Sequence, residues 1–472
     1  MSRHTTVEIV EQNDAAVGTD TNGTNVEEQF ETTGIRPSVP RDPPPHDTVD
    51  RCFDQLNRLL REKPRGFPAK PCTIFRIPQL LRGINPKAEE PEIVSIGPYH
   101  RGRPQVLEFE RLKPLFLKRF LRRTKEDLRE GEDLKELTAL VAKMESSARA
   151  CYSEHVNMTS CDFVEMMLLD GCFVAEFLLR ISGSSDATDE HDPIFARPQT
   201  IPILIGDLLK LENQIPFSLL QLVFTRVVPS DLRREIGSLA TLALKLFNQA
   251  CPTALLKPSD DLECEHLLAL FYSSLSSIRQ VHRKSRKKVW PSAQSVPCVT
   301  ELRSSGIKFK PGKAESLLEI SFHKPVLQIP NITINDFMAT VLINCVSLEQ
   351  CWENTSKYMT DYVFFMHCLI NQPKDVSLLR SDGIITLFSH DDQYVADLFD
   401  KLGKRIPFNV HDSFLSRQFM ELELYYRSNW ANMMRTYFSS PWSLISAFSA
   451  FLVIVLAIIQ TVIAVLTYRF HR

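Results

Sequence analysis

Residues 162–180, DFVEMMLLDGCFVAEFLLR, are the stretch that decides the fold. Apolar side chains return in it every three or four positions, which is the spacing of one face of an α-helix. Gly is scarce, with 16 residues against 29 Pro, and this favours helices with marked ends over a turn-rich β-sandwich. The sequence predicts a mainly α protein with a multi-helix globular body. The same spacing also predicts helices over about 104–129, 133–155, 161–181, 203–225, 230–249 and 263–278.

Polar segments set the limits of the predicted body. Residues 1–46 are acidic before residue 32 and Pro-rich after it, with too little apolar surface to offset the entropy of ordering, so we expect a disordered arm. The helical domain is predicted over 47–438, with Asp47 as the N-cap of its first helix. A polar loop at about 279–295 contains the basic stretch RQVHRKSRKK. That stretch has three interpretations: a nuclear import signal, a patch for anionic lipids, or a solvated loop.

The spacing of apolar residues changes after Thr300. Residues 305–330 contain short alternating apolar stretches separated by Lys324-Pro325, and they predict a small β-hairpin or sheet. Helical spacing then resumes over about 335–346, 357–371, 391–402 and 412–438.

Overall composition excludes several classes of function. The chain has 472 residues with 55 Lys+Arg and 57 Asp+Glu, so its net charge of −2 provides no field that attracts nucleic acid. Its 11 Cys are odd in number and contain no CxxC pair, and its 12 His include no HxH, HxxxH or HExxH. Neither a disulfide framework nor a local metal site is indicated. We predict no cofactor, no metal and no nucleic-acid partner.

An apolar segment closes the sequence. No charged residue occurs between Arg435 and Arg469, and Leu444 to Leu466 is almost wholly apolar. A helix of that length spans ~35 Å, which exceeds the ~30 Å of a bilayer's hydrocarbon core. A single transmembrane helix is therefore predicted over 442–468, followed by a short tail at 469–472. Its representative apolar positions are Leu444, Phe451, Val455, Ile459, Val462 and Leu466.

The topology expected for this helix is a tail anchor. The amino terminus has no apolar signal-peptide region, and few residues follow the helix, so we expect insertion after synthesis with the body in the cytosol. An outward-facing body is the open alternative. Asn-X-Ser/Thr sequons would carry glycans only in that second case; they lie at Asn22, Asn157, Asn331 and Asn354.

Two motifs contain polar residues that could be structural or chemical. In VSIGPYH, Gly97-Pro98 indicates a turn after a strand-like run, Tyr99 could anchor that turn, and His100 could be a ligand or a base. We predict a structural turn. In the 162–180 stretch, Asp170 of the Asp170-Gly171 pair and Glu176 are six residues apart. That separation is about 240° around a helix, so they are not a local acid/base pair.

A third motif is DLLKLENQIPF at 207–217. Asp207 and Glu212 lie about 140° apart on a helix, and Pro216 begins the next helix after the break at Asn213-Gln214. These side chains are predicted to bond backbone groups at a helix–helix corner. We therefore expect all three motifs to form one interior framework, with no catalytic, cofactor-binding or metal-binding residue among them.

A resemblance to a known family is carried by four blocks of sequence: CTIFRIPQLLRGINPKAEEPEIVSIGPYHRG, DFVEMMLLDGCFVAEFLLR, DLLKLENQIPFSLLQLVF and VPCVTELRSSGIKFK. Together with DYVFFMHCLINQPKDVSLLRSDGII and the apolar tail, they closely resemble the plant DUF247 family, also called UPF0481, over about residues 50–468. The resemblance implies a membrane-associated green-plant protein of mainly helical fold whose biochemical activity is not established. Grass members are associated with self-incompatibility loci, which implies a recognition role.

Two classes of function remain open from the sequence. The favoured one is a single-pass membrane protein whose body binds other proteins. The alternative is a membrane-tethered hydrolase or transferase whose triad is assembled only in the fold, because no G-x-S-x-G, P-loop, G-x-G-x-x-G or kinase motif is present. An enzyme should show a deep pocket in which His meets Ser or Cys and a carboxylate at hydrogen-bond distance.

Overall fold

The structure is a computed structural model that describes most of the chain after residue 45. It divides into two compact units, residues 1–66 and 67–472. The predicted arm lies outside the described residues except for His46, and the basic stretch at 279–288 lies wholly outside them. The described ranges are 46–61, 72–122, 130–183, 194, 197–250, 264–277, 296–312, 316–352, 356–388, 390–437 and 441–470.

The described part of the first unit is the helix α1 (His46–Arg61), which begins one residue before the predicted N-cap. In the second unit, the segment up to residue 277 is helical, with a 3₁₀ turn at Pro104–Val106. Its helices are α2 (Pro86–Glu89), α3 (Leu107–Glu110), α4 (Lys113–Leu121), α5 (Glu130–Ala150), α6 (Ser160–Ile181), α7 (Thr200–Leu208), α8 (Phe217–Val227), α9 (Ser230–Ile236), α10 (Leu239–Ala250) and α11 (Leu267–Ser277).

The 162–180 stretch lies within α6, and α6 is the centre of this segment. It begins where the Thr159 hydroxyl accepts the Asp162 amide as an N-cap. Helices α4, α5, α8 and α10 pack around it. Phe173 lies edge-on to the rings of Phe109 and Phe116, with both centroid distances 5.1 Å. Because α6 is covered on nearly all sides, its apolar residues surround the helix and do not form a single stripe.

Three of the helices predicted before residue 277 are interrupted in the structure. The 203–225 stretch is two helices, α7 and α8, because Pro216 lacks an amide hydrogen and residues 209–216 turn the chain. The 230–249 stretch divides at Gly237, whose φ of +99° ends α9. The 104–129 stretch is a 3₁₀ turn followed by α3 and α4, and its last seven residues lie outside the described part of the chain.

The predicted β element is present as a three-stranded sheet. Strands β2 (Ser321–His323) and β3 (Val326–Pro330) form an antiparallel hairpin around a cis Lys324–Pro325 bond. Strand β1 (Lys308–Gly312) pairs with β3 in parallel, Lys308 opposite Val326, to give the order β1-β3-β2. A second sheet, which the sequence did not predict, pairs β4 (Ile332–Ile334) in parallel with β5 (Ile385–Leu387). Strand β5 has three residues, too few to show alternation, and its partner is distant in sequence.

The rest of the chain is again helical, which confirms the mainly α fold. Helices α12 (Val299–Ser304) and α15 (Pro373–Ser381) were not predicted, and the 412–438 stretch divides into α17 (Ser416–Tyr426) and α18 (Asn429–Tyr437). Helix α13 (Asp336–Cys351) packs against α2 and α7, so residues from both parts of the second unit share one hydrophobic core. The helices are α12 (Val299–Ser304), α13 (Asp336–Cys351), α14 (Tyr358–Leu369), α15 (Pro373–Ser381), α16 (Asp392–Arg405), α17 (Ser416–Tyr426), α18 (Asn429–Tyr437) and α19 (Pro441–Phe470).

Candidate functional site

The three motifs meet at one irregular segment, residues 90–97, which we call the clamped segment. The apolar run before Gly97-Pro98 is strand-like in sequence, but it is irregular in the structure. The segment forms no strand because side chains, and not a neighbouring strand, bond its backbone. The Asp207 carboxylate accepts three successive amides, those of Glu92, Ile93 and Val94, at 3.0, 2.8 and 3.0 Å. This is an anion site made of backbone N–H groups, occupied by the protein's own carboxylate.

Lys210 completes the first half of the clamp. Its Nζ donates to Asp207 Oδ1 at 2.8 Å and to the carbonyl oxygen of Glu90 at 2.7 Å. Both side chains are at most 1% exposed. A buried charge is tolerated only when it is paired and fully hydrogen-bonded, and here each partner also binds the segment.

Asp170 and Lys113 form the second half in the same way. Asp170 accepts the Gly97 amide at 2.7 Å, and Lys113 donates to Asp170, to Glu110 and to the carbonyl oxygen of Ser95. Burial raises the pKa of the Glu110 carboxyl, although the charge of Lys113 opposes that shift. Two buried Lys–Asp pairs therefore bind the two ends of one segment.

Asn213 and Gln214 close the corner between α7 and α8. The Asn213 amide group accepts from the Ile96 backbone at 2.6 Å and donates to the carbonyl of Val94 at 3.0 Å. The Gln214 side chain donates to the carbonyls of Leu208 and Lys210, both at 2.8 Å. These bonds satisfy the carbonyls that the end of α7 leaves open, and Pro216 then lies at the N-cap of α8.

Glu212 is a separate ionic centre beside the clamp. Its carboxylate accepts the Ile77 amide at 2.8 Å and binds Arg76 at 2.9 Å and Arg82. Burial alone would raise the pKa of this carboxyl, but the contact with His100, the bonds from Ile77 and Arg76 and the charge of Arg82 lower it to about 2. Arg76 and Arg82 are about one-third exposed, whereas Glu212 is buried.

His100 lies against Glu212 without a close bond. Its Nε2 is 3.4 Å from Glu212 Oε2, and among the described residues its Nδ1 has no hydrogen-bond partner. Nearby, Tyr99 lies edge-on to Tyr152 at 5.4 Å and beneath the guanidinium of Arg76 at 4.0 Å. The Tyr99 ring anchors the turn between the buried clamp and the surface.

Most of the remaining motif residues matter because they leave room for a neighbouring segment or adopt the backbone conformation of a turn. Gly97 has φ +80°, and a Cβ there would be 2.5 Å from the carbonyl oxygen of Gln214; Pro98 completes the turn after it. Gly171 allows α8 to approach α6, since a Cβ would meet Leu219 at 3.3 Å. Glu176 is buried in α6, and burial together with its charge raises the pKa of the Cys172 thiol.

Sequence reasoning missed the cations of this site. Lys113, Lys210, Arg76 and Arg82 were not singled out, although Glu110–Lys113 and Asp207–Lys210 have the i, i+3 spacing that pairs charges on a helix. Asn344 was also missed: it accepts the Leu211 amide and donates to the carbonyl of Ala88, both at 2.8 Å. Its partners are more than 130 residues away, so no local pattern indicates it.

An open cleft lies on another part of the body. It has a volume of about 550 Å³ and includes Cys298, Cys368 and His367 in its lining. Burial raises the pKa of Cys298 and raises that of Cys368 to about 11, so both thiols are protonated at neutral pH. Burial lowers the pKa of His367, whose Nδ1 is 3.9 Å from Asp400 Oδ1. Within the described ranges no three His, Cys, Asp or Glu side chains are grouped to hold a metal ion.

The last helix exposes apolar side chains along most of its length. Residues 448–470 of α19 are long and apolar enough to cross a membrane, and none of the helix's most apolar stretch is buried in the protein. The predicted positions Phe451, Val455, Ile459, Val462 and Leu466 are 63, 36, 47, 50 and 50% exposed. Leu444 is in the same helix, one turn after its first residue.

These features define a class of protein: a mainly helical body built around internal ionic clamps, with one apolar helix at its carboxyl end. The chain belongs to the DUF247 family, described as plant protein of unknown function, whose sequence profile matches residues 74–456.

Two relatives come from Arabidopsis thaliana. The UPF0481 protein At3g47200 is 33% identical over 430 residues, covering 84% of this chain and 87% of the relative. The putative UPF0481 protein At3g02645 is 21% identical over 490 residues, covering 82% and 89%. No solved structure matches the chain.

Proposed function

We propose that the chain is a single-pass membrane protein whose helical body binds another protein. The observation that carries the proposal is the exposure of α19. Leaving a Leu, Ile, Val or Phe side chain in water forgoes ~1.5–3 kcal/mol of burial, and α19 exposes such side chains on every face. A bilayer would cover all of these side chains at once. The helix can also lie in the bilayer because its backbone N–H and C=O groups bond one another.

The body has the properties of a rigid binding scaffold. The carboxylate oxygens of Asp170 and Asp207 in the clamp, and of Glu212 beside it, are occupied by amides and cations, so they are not free to take a proton from a substrate. Large apolar side chains on the surface of the body, Leu80 at 68% and Phe388 at 69% exposure, are of the type that anchors a partner. Because grass members of the family are associated with self-incompatibility loci, recognition at a membrane is the process to test first.

The hydrolase or transferase alternative has less support. An acid/base or nucleophilic pair needs hydrogen-bond reach, and the 3.9 Å between His367 and Asp400 exceeds it. The thiols in the same cleft have raised pKa values, which is the opposite of an activated cysteine. A body in the cytosol also fits the cysteines: Cys72, Cys172 and Cys298 have free thiols in the structure.

The anchor is tested by deleting residues 440–472. The full chain should stay with membranes through carbonate extraction, and the shortened chain should become soluble. A full chain that carbonate releases would refute the anchor. Melting of the shortened chain by circular dichroism serves as the control that the body still folds.

Binding is tested by proximity labelling from an amino-terminal tag. The full chain is compared with a tagged control that contains only residues 439–472, which inserts the same helix without the body. Proteins labelled by the full chain and not by the control are candidates for partners of the body. If the two label the same set, the interaction proposal fails even though the anchor stands.

A further inference from the structure

Helix α18 joins the body to α19, and one side of it is fixed to the body. Ala431 is fully buried. The guanidinium of Arg435 donates to Ser305 Oγ and to the carbonyl of Tyr426, both at 2.9 Å, and lies 4.0 Å from the centre of the Tyr426 ring. The rotation of α18 about its axis is therefore set by the body.

The other side of α18 faces outward. Trp430 is 57% exposed, and Met433, one turn later, is half-buried. At about 100° per residue these two are separated by about 60°, whereas Ala431 and Arg435 lie about 100° and 140° from Trp430 in the opposite sense. Just before the helix, the side chain of Arg427 is 65% exposed. We call Arg427, Trp430 and Met433 the tryptophan face.

We propose that the tryptophan face lies in the headgroup layer of the bilayer that α19 spans; this inference rests on the proposed anchor. Only residues 438–440 separate α18 from α19, and four extended peptide links reach about 14 Å at most. The end of α18 is thus held close to the point where α19 enters the membrane. Because α18 is joined so closely to α19, the bilayer that α19 spans is the surface that the tryptophan face contacts.

The chemistry of the face fits a lipid surface. Tryptophan concentrates at membrane–water interfaces, where its ring is half in apolar surroundings and its N–H stays bonded. Arginine beside it can bind lipid phosphates in a bidentate manner. A short helix with this arrangement lies in the plane of the interface. The cleft, whose lining includes Arg427, then opens beside the bilayer.

The test measures the depth of Trp430. The chain has four tryptophans, Trp290, Trp352, Trp430 and Trp442, so Phe replaces all but Trp430. In the matched control Phe replaces all but Trp352, which packs against the core of the body. Both full-length variants are placed in phosphatidylcholine–phosphatidylserine vesicles with or without a lipid that carries a nitroxide on its headgroup. The nitroxide should reduce Trp430 emission by about twofold or more and leave Trp352 emission nearly unchanged.

Two outcomes are separable. If the chain resists carbonate and Trp430 is quenched no more than Trp352, the tryptophan face is in water and this inference is wrong. If carbonate releases the chain, the anchor itself fails.

The unmodified protein gives an independent measurement that does not depend on either variant folding. Arg417 and Arg427 are 75% and 65% exposed, and each pairs with a Glu four residues away. Phenylglyoxal should modify Arg427 more slowly in vesicles than in detergent. Its rate of reaction with Arg417 should be the same in both. Equal reaction of Arg427 in both would overturn the proposal.

Discussion

At the scale of single residues, the buried carboxylates show how strongly position determines chemistry. Asp207 and Asp231 both lie near the end of a short helix. Asp207 is fully buried and accepts three backbone amides, whereas the side chain of Asp231 is 82% exposed and lies 3.5 Å from Arg234. The same side chain is a structural clamp in one place and a solvated charge in the other.

Asp207→Asn should destabilise the body by ~3–5 kcal/mol, because it removes the buried carboxylate that pairs with Lys210. The NH₂ group of Asn cannot accept the amides that the lost oxygen accepted. Urea unfolding of the body measures this. Asp231→Asn is the control and should leave the midpoint unchanged. A midpoint equal to that of the control would show that the clamp is not required.

Two buried groups should give opposite dependence of stability on pH. His266 donates from Nε2 to the Thr73 carbonyl at 3.1 Å, and burial lowers its pKa from 6.5 to about 4. Burial raises the pKa of Glu349 from 4.5 to about 7, although the amides of Met359 and Thr360 oppose that shift. Between pH 4.5 and 6.5 the unfolded chain binds more protons at His266 and the folded chain binds more at Glu349.

The free energy of unfolding therefore rises with pH through His266 and falls with pH through Glu349, each by ~1.4 kcal/mol per pH unit, and the two nearly cancel in that window. Relative to wild type, His266→Gln should lose stability as pH rises from 4.5 to 6.5, and Glu349→Gln should gain it. Urea midpoints at several pH values measure both. Parallel curves for all three proteins would contradict the assignment.

At the scale of elements, the turn after the clamped segment depends on the absence of one side chain. Gly97 and Gly102 have the same φ of +80°, but a Cβ at Gly97 would be 2.5 Å from a backbone oxygen, whereas at Gly102 nothing lies within 4 Å. The pair separates the cost of a left-handed backbone from the cost of a close approach.

Gly102→Ala should cost ~1–2 kcal/mol, the penalty of the left-handed conformation alone. Gly97→Ala should cost clearly more, because residue 97 must also move away from Gln214 and weaken its bond to Asp170. Thermal melting of the two variants side by side gives the difference. Equal melting temperatures would mean that the segment relaxes without loss.

The apolar helix α19 offers a second element-scale prediction. Leu456→Arg combined with Ile458→Arg places two charges near its middle, at ~2.5–3.5 kcal/mol each on insertion scales, and should release the chain from membranes. Thr467→Arg with Tyr468→Arg is the control, since charges near the helix end reach the interface. Carbonate extraction distinguishes the pairs. Retention of both would show that α19 is held by protein and not by lipid.

At the scale of the whole molecule, glycosylation tests which side of the membrane the body occupies. Asn157 is exposed between α5 and α6, whereas the Asn331 amide donates to the Gly383 carbonyl at 2.8 Å and to Thr386 at 3.1 Å. A luminal body would therefore be modified at Asn157 in preference to Asn331.

With a cytosolic body, Asn157 should carry no glycan, and a sequon appended after Arg472 should acquire one. Mobility shifts after glycosidase treatment measure both in one expression experiment. A glycan on Asn157 and none on the appended sequon would establish the outward-facing alternative.

The sequence alone determined the features that arise from local periodicity. Helical spacing along 162–180 predicted α6, an uncharged run predicted α19, and short alternating stretches predicted the hairpin of β2 and β3. The family blocks also marked Asp170, Asp207 and Asn213. Each of these signals lies within a few residues of what it describes, because neighbouring residues along a helix or strand repeat at fixed intervals.

Only the tertiary structure decided what those polar residues hold. Asp207 binds amides about 113 to 115 residues away and Asp170 binds one 73 residues away, so the segment that looked like a strand is irregular and clamped by side chains. Contacts between residues distant in the sequence also produce the second sheet, the half of the clamp formed by Lys113 and the bonds of Asn344. A buried polar group must find a partner, but the sequence does not record which one, because the partner is chosen by packing of the whole core.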